Sequence, residues 1–146
     1  MPMTKSNPKN RWVDQFKELP NQSNFHEVVR EIFRKDSWFR NLRCYQEVPV
    51  IDLVPSYFSN QHRFDWYIEE LNTVLELHGE QHYKATNFGS MSIEEKTRAF
   101  AEGQKRDHLK KEAAEDAGFK YVAISFKEIS KLTGPYLKSL LLQRGS

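Results

Sequence analysis

Four ionisable side chains occupy alternate positions in one short run of this 146-residue chain: Glu76, His78, Glu80 and His82. The run opens with Thr73, Val74 and Leu75, which have the β-branched and apolar character of a buried strand. Alternate residues of an extended chain share a face, so the spacing predicts carboxylates and imidazoles projecting together from a strand end. Such crowding perturbs every pKa in the group and is costly unless it does chemistry. Asp65 adds a further carboxylate. It lies between Phe64 and Trp66 in a second apolar run, where strand propensity disfavours Asp. A tight connection at 70–72 pairs the two runs as an antiparallel hairpin, which lets Asp65 approach Glu76. Two carboxylates brought together in a partly buried place repel, and a divalent cation resolves the repulsion. His78 and His82 supply neutral imidazoles that can take a proton from water or position it. A structural zinc site from His62, His78, His82 and Cys44 is the competing reading, but the spacing matches no standard zinc pattern.

A third chemical stretch is Gln104-Lys-Arg-Asp107-His-Leu-Lys110-Lys111. Its segment reads as a long helix from Ser92, with Glu95 completing a capping box, to a stop at Gly118. At 100° per residue Gly103, Arg106 and Lys110 fall within the apolar face formed by Leu109, Ala113, Ala114 and Ala117, with Asp107 at its edge. Charges on a packing face need partners, and the available ones are Asp65 and Glu76. Otherwise the Lys and Arg stems snorkel to solvent.

The remaining elements position these groups. Ser23 or Asn24 caps a helix running to about residue 34, with Phe25, Val28, Val29, Ile32 and Phe33 as its apolar stripe and Glu27 and Glu31 opposite. Residues 38–42 read as a linker or a continuation of that helix. Residues 44–54 read as a strand that Pro49 confines to an edge or bulge. Residues 62–69 form the second strand, with Phe64, Trp66 and Ile68 on one face and Asp65, Tyr67 and Glu69 on the other. Residues 73–77 form the third. The run Tyr121-Val-Ala-Ile-Ser-Phe126 is a strand buried on both faces, and 127–142 is a last helix. The order helix, three meandering strands, helix, strand, helix predicts an α/β sandwich with a mixed sheet. Residues 1–22 read as an N-terminal arm, in which Trp12, Val13, Phe16 and Leu19 could form a short helix or dock. Residues 23–146 form the single domain.

Composition bounds the function without fixing it. A mean hydropathy of −0.75 and 29% charged residues describe a polar-surfaced globular protein. No apolar run reaches membrane-span length, and the polar N-terminus is unlike a signal peptide. One cysteine, Cys44, forms no internal disulfide, so a cytoplasmic setting is expected. The net charge is only +2. Nine Lys/Arg against five Asp/Glu in residues 1–43, and four against one in residues 127–146, leave the centre net acidic. That pattern suits an enzyme gripping a polyanion at its flanks and a cation at its centre, and equally suits ordinary solvated ends.

Phe64-Asp65, the run from Val74 to Tyr83, Gln104-Lys-Arg-Asp107 and the stretch from Gly118 to Ser125 together resemble the PD-(D/E)XK nuclease superfamily. The likeness is to its very-short-patch-repair-type and EDxHD homing-endonuclease branch, and spans about residues 24–126. The resemblance implies a three-layer restriction-endonuclease-like sandwich and a metal-dependent DNA endonuclease. It implies Mg²⁺ or Mn²⁺ held by Asp65, Glu76 and the Leu77 carbonyl. His78 stands where most members carry lysine, and His82 matches the later histidine one residue early, so either serves as base. Glu27, with Glu31 one turn on as alternative, matches the acidic residue of the first helix, and Asp107, with Gln104, matches the helix residues that orient the site. The zinc-binding cysteines of the short-patch enzymes are missing. Lys84, Lys105, Arg106, Lys110 and Lys111 are the candidate contacts to DNA phosphates, and the loop 84–91 could clamp the DNA. Duplex or branched DNA is the expected partner, and a homodimer or a partner that supplies specificity could provide recognition of a long site. Repair, phage, mobile-element and junction-resolving enzymes share the fold. A non-catalytic DNA-binding or assembly module of the same fold and an RNA nuclease are the alternatives.

Overall fold

Strand pairing dominates the computed structural model, which describes residues 11–79 and 92–143. Among the described residues five strands lie side by side in chain order: β1 (Val13–Asp14), β2 (Cys44–Pro49), β3 (Arg63–Ile68), β4 (Thr73–His78) and β5 (Lys120–Ser125). The first four run antiparallel to their neighbours, and β5 joins β4 in parallel. That parallel step requires a crossover, and the long helix supplies it. Helices among the described residues include α1 (Asn24–Lys35), α2 (Ser37–Arg40), α3 (Val50–Leu53), α4 (Ile93–Asp116) and α5 (Gly134–Gln143).

Two apolar clusters pack the two sides of the sheet. One gathers Phe25, Val29 and Phe33 of α1, Phe39 of α2 and Leu137, Leu140 and Leu141 of α5 against Trp66, Ile68, Leu75 and Ile124. The other gathers Val50 of α3 and Ala114 of α4 against Tyr45, Val48, Phe64, Tyr67 and Val74. The result is an α/β sandwich with a mixed sheet between helical layers, as the element order predicts. Among the described residues no helix is long and apolar enough to cross a membrane.

Local signals explain most boundaries. Ser23 caps α1, accepting from the His26 N–H. Ser92 and Glu95 form the expected capping box on α4. Gly118, at φ 93°, takes the left-handed conformation that ends α4.

Several sequence expectations need correction. The strand expected over 44–54 ends at Pro49, and α3 follows, since proline cannot donate to the ladder. Residues 38–42 are neither linker nor continuation: α2 is a separate turn capped by Asp36, which accepts from Trp38 and Phe39. The last helix does not run from 127. A 3₁₀ stretch (Phe126–Lys131) comes first, and α5 starts at Gly134 with Pro135 in its first turn. Of the two options for the N-terminal arm, helix or docking, residues 12–19 take the second and form no helix. The arm docks as an edge strand, and Gln15 is buried, its amide donating to the Phe33 and Phe39 carbonyls at 2.8 and 3.0 Å. Phe64 does not share a cluster with Trp66 and Ile68 but joins Tyr67. The alternation breaks opposite Glu47, which adopts φ 52° between Gln46↔Trp66 and Val48↔Phe64.

Candidate active site

The hairpin of β3 and β4 comes apart where its carboxylates begin. Pairing runs from Ile68↔Thr73 to Trp66↔Leu75 and goes no further. Beyond it, backbone groups bond to side chains instead. The Asp65 N–H donates to Glu76 Oε2 at 2.9 Å, and the Leu77 N–H donates to Asp65 Oδ2 at 2.7 Å. Asp65 and Glu76 thus substitute for missing ladder bonds and hold each other's backbone. β4 keeps its full parallel pairing with β5 through Glu76↔Ala123 and His78↔Ser125, so the site is anchored on a central strand.

Glu76 is almost wholly buried, and Lys110 of α4 reaches it, with Nζ 2.6 Å from Oε1. The same ammonium donates to the Arg63 carbonyl at 2.8 Å. Burial and the neighbouring Asp65 charge push the Glu76 carboxyl up to about 8, although Lys110 and the Asp65 N–H pull the other way. Desolvation wins because the carboxylate has exchanged water for only a few donors.

On the far side of Asp65 stands His26 of α1, its Nε2 3.4 Å from Oδ1. Its Nδ1 meets Ser23 Oγ at 3.0 Å. Burial lowers the His26 pKa, but the Asp65 hydrogen bond and the Asp65 and Glu47 charges outweigh it, and the net shift is upward. Burial raises the Glu47 carboxyl, with Asp65 adding to it. His26, Glu47 and Asp65 offer ligand atoms within 4.8 Å of one another. A second group under the same limit is Glu76, His78 and Asp107, with His78 Nε2 3.8 Å from Asp107 Oδ2.

The groups flank a cleft of about 410 Å³ lined by Ser23, His26, Asp65, Glu76, Leu77, Arg106, Asp107 and Lys110, among others. Compared with protein-family models and with curated proteins, the chain matches none. Its chemistry must be read from this geometry.

Of the residues singled out in the sequence, Asp65, Glu76, Leu77, Asp107, Arg106 and Lys110 converge on the cleft, and His78 stands beside it. Arg106 is exposed, not packed into the helix–sheet face as the wheel predicts. Lys110 is buried and committed to Glu76, so it is not available as a phosphate grip. Lys105 and Lys111 are exposed and do not line the cleft. Glu27 is exposed and belongs to neither carboxylate group, and Glu31 pairs with Arg34 and Lys35 at 3.0 Å each. Glu80, His82, Lys84 and the loop 84–91 lie outside the described residues.

Sequence reasoning missed His26 and Glu47. The signal for His26 was present: at 100° per residue it sits about 60° from the centre of the Phe25/Val29/Phe33 stripe, whereas Glu27 sits about 160° away. Glu47 had no such signal, because its inclusion depends on a positive φ.

The donor chemistry fits a divalent cation. Carboxylate oxygens suit Mg²⁺ or Mn²⁺, and an imidazole in each group suits the softer of the two.

Proposed function

We propose that this protein is a metal-dependent phosphodiester hydrolase that cuts DNA. The observation that carries the reading is the exchange at the end of the β3–β4 hairpin. There, two carboxylates on adjacent strands replace the ladder and face a cleft with a cation on either hand, Lys110 and Arg106. A purely structural hairpin has no reason to spend buried Glu76 and Lys110 at that position, since a buried ion pair is rarely a net source of stability.

Asp65 and Glu76 would hold the metal, with His26 and Glu47 within ligand reach of Asp65, and His78 and Asp107 within ligand reach of Glu76. A bound divalent cation supplies Lewis-acid stabilisation of charge on the scissile phosphate and on the leaving oxygen. The chain's own residues do the rest. His78 takes the proton of the attacking water, and Asp107, 3.8 Å away, favours the imidazolium that results. Lys110 keeps Glu76 oriented and offsets part of its charge. Arg106, exposed on the cleft wall, meets a phosphate next to the one that reacts. As the water oxygen bonds to phosphorus, the bond from phosphorus to the leaving oxygen breaks, and that oxygen takes up a proton.

A buried, unpaired Cys44 supports a reducing compartment such as the cytoplasm. The small domain supports action as a homodimer on any long duplex site. The deciding assay is conversion of supercoiled plasmid to nicked or linear forms in Mg²⁺ or Mn²⁺. Cutting is expected in the wild type, and its loss in EDTA and in Asp65→Asn. Cutting that survives Asp65→Asn removes the assignment. Binding of DNA without any metal-dependent cutting favours the non-catalytic module instead.

A further inference from the structure

The loop between α3 and β3 carries a feature that the hydrolytic chemistry does not use. Phe58 is 69% exposed, the most exposed aromatic side chain among the described residues. Isolated exposed apolar residues are ordinary. This one is propped from behind. Its ring lies 4.7 Å from that of Tyr57 and 5.5 Å from that of His62, measured between centroids. Tyr57 Oη and His62 Nδ1 lock together at 2.8 Å. The loop therefore presents a supported aromatic face, not a loose side chain.

Phe58 also walls a hollow of about 380 Å³ against α4. The floor on the helix side is Ala113 and Ala117, residues too small to fill it, and Asp116 stands at the edge. An aromatic wall, a small-residue floor and a carboxylate acceptor match a nucleobase: a π-face to stack on, and an acceptor for an exocyclic amino group. The hollow and the cleft lie along one face of α4: at 100° per residue Arg106 and Lys110, which line the cleft, share a side with Ala113 and Ala117 of the hollow. Arg106 lines the cleft beside Asp65 and Glu76. Ala113 follows Arg106 by two helical turns, about 10 Å along α4. That separation is the reach of a few nucleotides.

We propose that the Phe58 hollow takes one unpaired nucleobase of the DNA strand whose backbone lies across Arg106, with preference for a base bearing an amino group. A paired base keeps its faces in the stack and cannot enter, so the site selects single-stranded or branched DNA over intact duplex. This deepens the hydrolase reading and rests on it for the direction of the strand, but base capture itself needs no metal.

The test is fluorescence anisotropy in EDTA with three probes: labelled dC₁₂, labelled dT₁₂ and a labelled blunt 12-base-pair duplex. Wild type should bind dC₁₂ more tightly than dT₁₂. Phe58→Ala should weaken dC₁₂ binding about tenfold, with duplex binding unchanged. Phe58→Trp should restore it, which also excludes misfolding as the cause. Asp116→Ala should erase the preference for dC₁₂. The proposal is overturned if wild type fails to bind dC₁₂, or if Phe58→Ala binds it as wild type does. Equal weakening on the duplex overturns it too. Loss of these effects with plasmid cutting intact removes only the base pocket; intact base binding without cutting removes only the hydrolase.

Discussion

Lys110 changes role between sequence and structure, and the change has consequences for catalysis. The wheel puts it on the packing face of α4 and names Glu76 as a partner, while its charge also makes it a candidate phosphate contact. The structure takes the first option: its ammonium is shared between Glu76 Oε1 and the Arg63 carbonyl. Lys110→Met keeps the stem and removes the charge. It should lower plasmid cutting in Mn²⁺ by about a hundredfold, the scale of one electrostatic contact. Binding of dC₁₂ in EDTA should be almost unchanged, since Lys110 has no free ammonium to offer a phosphate. A matching loss of binding would return it to the phosphate contacts. Glu27, the acidic residue that the resemblance implies on α1, is exposed and lies outside both carboxylate groups. Glu27 fits a motif, but helix rotation follows the apolar stripe, and the stripe turns His26 toward the sheet.

At the level of elements, regular periodicity was readable and interruptions were not. α1, α4 and strands β3 to β5 begin and end within a residue or two of the expected bounds. The departures arise where one residue overrides a pattern. Pro135, in the first turn of α5, sets a new helix start within a stretch whose apolar spacing reads as continuous from 127, and Glu47 inverts the alternation of β2 through a conformation that no neighbouring sequence requires. Asn72 is a legible override. It ends the 3₁₀ turn Glu69–Leu71 in the left-handed region, at φ 50°, which Asn tolerates better than most residues. Its side chain donates to the Gly118 carbonyl at 3.1 Å, and its own carbonyl accepts from Lys120 at 3.0 Å. One residue thus joins the β3–β4 turn to the start of β5. Asn72→Ala suffers both the conformational cost and the lost hydrogen bond. It should cost about 1–2 kcal/mol in urea unfolding. Asn72→Gly keeps the conformation and should cost less. If glycine proves the worse of the two, backbone strain is not what Asn72 relieves.

Across the whole molecule, charge was the least legible property in the sequence, because what matters is burial and not the count. A net charge of +2 says nothing of a carboxylate and an ammonium sealed under α4. Their burial makes stability and metal binding respond to pH in opposite senses. Glu76 has an ordinary value of 4.5 and is pushed up to about 8 in the fold, chiefly by burial. Between those values the folded chain holds a proton that the unfolded chain has lost. The stabilising contribution is therefore complete below about pH 4.5 and drains away as pH rises through 8, with a slope of at most about 1.4 kcal/mol per pH unit. Glu76→Gln has no such proton, so in EDTA its melting temperature should gain on that of the wild type as pH goes from 5 to 8.5. Taking the difference between the two curves cancels titration elsewhere, including that of His26 and Glu47. Mn²⁺ reverses the trend. Metal binding needs the carboxylate ionised, so the thermal shift that Mn²⁺ gives the wild type should grow over the same pH interval and be largely absent in Glu76→Gln. Parallel curves in EDTA would show that Glu76 is ionised throughout, with Lys110 and not burial governing it. A Mn²⁺ shift equal in both proteins would move the metal away from Glu76, to the group formed by His26, Glu47 and Asp65.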